Sequence, residues 1–186
     1  MVDVKRKYEL KKRAQDMEAT RQRITEAAVE LHGSVGPART TVSAVAERAG
    51  VQRHTVYRHF PTDKDLFAAC SAHFSARYPL PDPTGWTGLA DGLDELYAWY
   101  EETEYMWRNV YRDAELVDAV PDALRPLQEY LVEAAHTLAR GLPRRKTVAA
   151  ATAHAVDFHT WRSLVRGGGL SRAQAVALVS AMVDAA

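Results

Sequence analysis

The chain has 186 residues, 47% of them apolar and 26% charged, a balance that supports a packed core and excludes a charge-driven disordered chain. Its 24 Lys/Arg and 24 Asp/Glu cancel, which excludes a uniformly basic nucleic-acid binder. A single cysteine, Cys70, excludes an intramolecular disulfide framework and a multi-cysteine zinc site, and no apolar run has the length of a membrane span.

Hydrophobic spacing is helical nearly throughout, with no alternating strand and no Asn-Gly or Asp-Gly hairpin. Residues 1–16 read as a basic arm or a helical extension carrying Lys5, Arg6, Lys7, Lys11, Lys12 and Arg13. They lack the apolar stretch of a secretory signal, so a cytoplasmic protein is expected. A helix follows from Met17 to His32, with Ile24, Ala27, Ala28 and Leu31 on its inner face, and Gly33–Pro37 breaks it. Thr41 caps the next helix, whose stripe is Val42, Val45, Ala46 and Ala49, and Gly50 ends it. A short helix runs from about Gln52 to His59. Thr62 and Asp65 form a capping box for a fourth helix striped by Leu66, Phe67, Cys70, Phe74 and Tyr78.

Three prolines in 79–83 mark a break, and the domain boundary falls there: 17–78 before it, 79–186 after. One long or two shorter aromatic-rich helices occupy 86–117. Another begins between Pro121 and Pro126 and ends near Gly141. A single long helix covers 145–166 and stops at Gly167–Gly169, and Ser171 with Gln174 opens the last one.

Charge is uneven. Residues 1–60 hold 12 Lys/Arg against 7 Asp/Glu, and residues 61–186 hold 12 against 17. The basic part contains TVSAVAERAGVQRHTVYRHF at 41–60, two helices joined at a glycine, the layout of a helix-turn-helix. Val56 and Phe60 face inward, four residues apart. The outer face offers Gln52, Arg53, His54, Thr55, Tyr57, Arg58 and His59, all hydrogen-bonding groups and none acidic. Arg matches the O6 and N7 of guanine and Gln the N6 and N7 of adenine, while Tyr, Thr and His donate to phosphates. A solvated helix pair in a bundle is the alternative, but such a face normally mixes Glu with Lys.

The series Thr40-Thr41-Val42, Val45-Ala46, Ala49-Gly50-Val51, Thr55-Val56-Tyr57 and His59-Phe60 resembles the N-terminal signature of the TetR family of bacterial repressors. The helix before it and the Phe60-Pro61-Thr62 to Leu66-Phe67 segment fit too. The resemblance covers about residues 20–70. It implies an all-α homodimer, with a three-helix DNA-binding domain joined by a fourth helix to a C-terminal helical ligand-binding and dimerisation domain. It implies that Thr41 meets a phosphate, that Gln52, Arg53 and His54 lie nearest base edges, and that Tyr57 and His59 bind the backbone. Thr55 and Arg58 complete the DNA-facing set. The family usually has Lys at the place held here by Asp63; Lys64, the next residue, is the substitute phosphate contact. The implied partners are a palindromic operator in double-stranded DNA and a small hydrophobic or aromatic ligand, and the implied function is that of a repressor which the ligand releases. A DNA-binding or scaffolding helical protein without a sensor is the alternative.

In the C-terminal part Trp99, Trp107, Tyr111, Phe158 and Trp161 are the candidate ligand contacts; core packing is the competing use of such rings. Six carboxylates in 91–104 (Asp91, Asp94, Glu95, Glu101, Glu102 and Glu104) form either a solvated face or a patch favouring a cationic aromatic ligand. A dimer seam is expected along the last two helices, striped by Ala151, Ala155, Val156, Phe158 and Val165 on one and by Val176, Val179, Met182 and Val183 on the other. No catalytic fingerprint appears, His154 and His159 are spaced off a shared helical face, and Cys70 reads as a buried small hydrophobe. No enzyme activity, cofactor or metal is expected.

Overall fold

The computed structural model describes the backbone of residues 2–186 and the side chains of residues 7–186, so Lys5 and Arg6 of the basic arm lie outside the described side chains. All regular structure among the described residues is helical. The chain divides into two compact units, one of residues up to Arg77 with Tyr105–Ala123, the other of Tyr78–Glu104 with Leu124–Ala186. The segment 105–123 thus groups with the N-terminal helices and not with the rest of the chain after residue 79, because its side chains hold the loop after the first helix.

The first unit starts with α1 (Val2–Ser34), longer than the 17–32 read from hydrophobic spacing. Residues 2–16 contain no Gly or Pro and are rich in good helix formers, so the helix runs through them, with the side chains of 7–16 all exposed. Helices α2 (Val42–Ala49) and α3 (Arg53–His59) follow. The Thr41 side chain accepts from the Ala44 amide at 3.1 Å and caps α2. Gly50, at φ 65°, ends it in the left-handed region, while the Val51 amide donates to Ala46 O at 2.9 Å. This 6→1 closure needs a residue without a Cβ penalty at Gly50, and it sets the turn between the two helices.

One core joins α1, α2, α3 and α4 (Asp63–Arg77): Ile24, Ala27 and Ala28 meet Val45, Ala46 and Ala49, with Val56, Phe60, Leu66 and Cys70. Four alanines in this contact let the helices approach closely. The Thr62–Asp65 box opens α4 as expected, with the Asp65 amide donating to Thr62 Oγ1 at 3.2 Å and the Thr62 amide to Asp65 Oδ2 at 3.0 Å.

Helix α5 (Leu89–Asp113) is one long helix. Its last turns hold the end of α1: Asn109 Nδ2 donates to His32 O at 3.1 Å and to Gly33 O at 2.7 Å.

In the second unit, α6 (Val120–Leu138) contributes from Leu124 onward and runs through Pro126, giving up one ladder bond near its start. The single helix expected over 145–166 is broken: α7 (Lys146–Ala155) stops at Val156 and α8 (Phe158–Arg162) restarts after Asp157. Asp157 accepts from the His159 amide at 2.7 Å and caps the restart. Two buried tyrosines satisfy the carbonyls left at the break, Tyr97 Oη donating to Ala155 O at 2.8 Å and Tyr100 Oη to Val156 O at 2.6 Å. The chain then widens into a π turn over Ser163–Gly167 and enters α9 (Arg172–Asp184) through the expected Ser171–Gln174 box.

The acidic run of α5 is occupied by the protein's own donors. Arg172 bridges Asp94 and Glu101 at 2.9 Å each, Arg166 meets Glu104 at 2.7 Å, Trp86 Nε1 donates to Glu95 at 2.9 Å, and Asp91 accepts from the Thr87 amide. Glu102 alone stands outside these bonds, so most of the run is tied to neighbouring groups of the same unit.

Candidate nucleic-acid interface

The turn at Gly50 leaves α3 with one face on the core and the other in solvent. Val56 is buried, and Gln52, Arg53, His54, Tyr57 and Arg58 are exposed, Tyr57 at 48%. Thr55 is half-buried, with its Oγ1 at 3.5 Å from His54 Nε2. None of these side chains is drawn into an ion pair with another described residue, and no carboxylate stands among residues 52–59. Thr41 is exposed too. Its oxygen is engaged as a cap, which leaves its hydroxyl proton available to an acceptor such as a phosphate oxygen.

His59 departs from the sequence expectation. It is half-buried and its Nε2 is enclosed without a hydrogen-bond partner, so the ring does not belong to the exposed face. Burial lowers its pKa, the Arg58 and Arg21 charges add to this, and Glu18 opposes it, so the ring is neutral at pH 7. Its carbonyl accepts from Arg21 Nη1 at 2.9 Å, and the Arg21 guanidinium lies 4.2 Å over the Phe60 ring. Arg21 therefore fixes the C-terminal end of α3 against α1. Hydrophobic periodicity carries no signal for it, because the residue acts through a backbone carbonyl 38 positions away.

Lys64 is exposed and reaches Asp122 at 3.5 Å, a surface contact that holds it weakly. Asp63 begins α4, where a carboxylate is favoured by the helix dipole.

The candidate ligand residues divide between the two units. Trp99, Phe158 and Trp161 are buried in the second unit, where Tyr100 packs on Phe158 at 5.4 Å and on Trp161 at 5.6 Å between ring centroids. Trp99 Nε1 donates to Tyr78 O at 3.2 Å. These three are core. Trp107 and Tyr111 sit in the first unit, 6.4 Å apart, and Trp107 lines a cavity of about 50 Å³ with His32, Phe67, Cys70, Phe74 and Met106. Burial pushes His32 down to about 4 and the Cys70 thiol up to about 12, so both are neutral and Cys70 is inert, as its apolar stripe implied.

The family described as bacterial regulatory proteins, tetR family, matches residues 24–70, the segment that builds α1 to α4 around the capped turn. Over these residues the chain carries the DNA-binding segment of that family. An HTH-type transcriptional regulator, SrpR of Pseudomonas putida, is 39% identical over 70 residues, which is 38% of this chain and 32% of that protein. This chain thus spans about a third of that relative's length. Among solved structures, a TetR-like transcriptional regulator from Rhodococcus sp. RHA1 superposes with a TM-score of 0.62 at 21% identity, over 88% of this chain and 93% of that one. A second TetR regulator from the same organism gives 0.52 at 22% identity, over 91% and 96%. At these identities the likeness beyond residue 70 is one of TetR-like fold.

Proposed function

We propose that this chain is a cytoplasmic, sequence-specific DNA-binding transcriptional regulator of the TetR family, a repressor that acts as a homodimer on a palindromic operator. The observation that carries the reading is the exposed, acid-free face of α3 on a helix pair fixed by Thr41, Gly50 and Arg21. Arg53 and Gln52 have the donor patterns that read guanine and adenine in the major groove, and Tyr57 and Thr41 suit phosphates. Selection from a random double-stranded DNA library at 100 mM salt (on the order of physiological ionic strength) tests it. A two-fold symmetric enriched sequence is expected; salt-sensitive binding without enrichment would overturn it.

A homodimer is supported by apolar side chains left in solvent. Leu178 and Met182 on α9 are 44% and 49% exposed, and a groove of about 190 Å³ between α6 and α7 is lined by Val132, Ala135, Ala149 and Ala153. The residues expected to form the seam are, Met182 and half-buried Ala151 apart, interior: Ala155, Val156, Phe158, Val165, Val176, Val179 and Val183 are buried in the protomer. The seam therefore uses the opposite faces of the same helices.

Release by a small aromatic or hydrophobic ligand is supported by the Trp107 cavity, which borders α4. At about 50 Å³ it is a third of the roughly 150 Å³ that accepts benzene, so a ligand must open it and favour that opened state. This small volume and the packed rings of the second unit favour the other reading, a DNA-binding helical protein without a sensor. Thermal shifts with indole, phenol and benzoate separate the two. A shift lost in Trp107→Ala supports the sensor.

A further inference from the structure

We propose that the N-terminal part of α1, residues 7–17, is a second DNA-binding element that lies along the sugar–phosphate backbone beside each half-site. The inference rests on the DNA-binding reading of α3. Its basis is the attachment of Arg21. The Arg21 guanidinium is bonded to His59 O and stacked over Phe60, and Glu18 acts electrostatically on His59, so residues 18–21 flank the C-terminal end of α3. The helix does not stop there. It continues toward its N-terminus for more than three further turns, all exposed, with no core to pack on.

This projecting stretch carries four cations, Lys7, Lys11, Lys12 and Arg13, none paired with another described residue. Helical geometry places successive side chains 100° apart. Lys7 and Lys11 therefore share a face opposite Glu9 and Asp16, and the three consecutive cations at 11–13 put at least one charge on any side turned toward a duplex. A stretch of 11 residues is about 16 Å long at 1.5 Å per residue, close to half a turn of B-DNA.

The helical state decides the mode of contact. A flexible basic arm can thread the minor groove, about 6 Å wide, but a helix some 10–12 Å across cannot. Contact is thus restricted to phosphates and adds affinity without sequence preference. A solvated strut that touches no DNA is the competing account, and the salt dependence separates the two.

The test uses the full chain carrying Lys11→Gln, Lys12→Gln and Arg13→Gln, substitutions that keep helix propensity at exposed positions. Two probes are compared across a salt series: the palindrome enriched by the wild type with flanks of about 15 base pairs, longer than one helical turn, and the same palindrome trimmed of flanks. The variant should bind the long duplex about tenfold more weakly, with a log–log salt slope shallower by at least about 1. Its enriched sequence should be that of the wild type, and trimming the flanks should weaken the wild type alone. Identical slopes and affinities for variant and wild type on both probes would overturn the proposal. Arg53→Ala, run in parallel, reports on α3 separately. If it loses the sequence preference while the triple variant matches the wild type, only the N-terminal element falls; if the wild type enriches no sequence, both readings fall.

Discussion

Asp113 and Ala38, 75 residues apart, are joined by a hydrogen bond in which Asp113 Oδ2 accepts from the Ala38 amide at 3.0 Å. The same carboxylate receives Arg112 Nε at 2.7 Å, and Arg112 Nη2 also donates to Val35 O at 2.9 Å. The Arg112 guanidinium, against the opposing effect of burial and helped by the Ala38 amide, holds Asp113 below the usual carboxylate range. The end of α5 thereby fixes the loop that delivers the chain to Thr41 and α2. Gly36, at φ 95°, sits inside this clamp, and a Cβ there would run into Arg112 and Asp113. With its side chain only 2% exposed, Asp113→Ala leaves the Ala38 amide without its acceptor and the Arg112 guanidinium without its counter-charge, and should cost about 2–3 kcal/mol. Urea denaturation measures this as a lower midpoint at unchanged slope, and a midpoint equal to the wild type would contradict it.

Acid should weaken the fold through His32, which stacks on Phe67 at 4.7 Å in the cavity wall. Burial lowers its pKa from 6.5 to about 4, with Asp113 opposing. The unfolded chain therefore binds a proton that the folded chain refuses across this window. Stability is complete above pH 6.5 and falls as pH drops toward 4, by on the order of 3 kcal/mol in all. In His32→Phe the slope of stability against pH between 6.5 and 4 should flatten relative to the wild type. Parallel slopes for the two proteins would rule this out.

The DNA face makes a sharper division. Arg53→Ala should cost about 1–3 kcal/mol of operator affinity and relax the preference at one base pair of each half-site. Tyr57→Phe removes the hydroxyl proposed to donate to a phosphate and should weaken all sequences alike. His59→Ala should lower the unfolding midpoint more than it alters sequence preference, because it removes a half-buried ring whose Nε2 is enclosed, while the Arg21 bond to the backbone carbonyl stays. Binding isotherms on the enriched operator and single-base variants check all three; unchanged affinity in both Arg53→Ala and Tyr57→Phe would remove α3 from the interface.

Much of this interface was legible in the sequence, for a physical reason. Caps, a left-handed glycine and apolar stripes are local rules, so Thr41, Gly50, Val56, the Thr62–Asp65 box and the Ser171–Gln174 box could be read without a neighbour. The length of α1 was not, because residues 7–16 bury nothing and periodicity is silent where no face is buried. The break at Val156 also escaped. Ala155 and Val156 continue an apolar pattern, and the carbonyls freed there are satisfied by Tyr97 and Tyr100, more than 50 residues earlier. Aromatic rings told least: Trp99, Phe158 and Trp161 fit a pocket or a core equally well by composition, and only packing assigns them to the core.

The same limit applies to the last two helices and leads to a test of the dimer. Stripes of Val and Ala mark a buried face, but a stripe does not say whether its partner belongs to the same protomer. Here Val176, Val179 and Val183 are spent inside the protomer, and Leu178 and Met182 remain in solvent on the other side of α9. Leu178→Glu with Met182→Glu should therefore leave the folded protomer intact while placing carboxylates in the seam. Sedimentation should show half the wild-type mass, and palindrome binding should fall because two linked half-sites become two separate ones. Val179→Ala should do the reverse, losing about 2 kcal/mol of stability from a side chain only 2% exposed without changing the mass. A dimer that survives the double Glu substitution would move the interface away from α9.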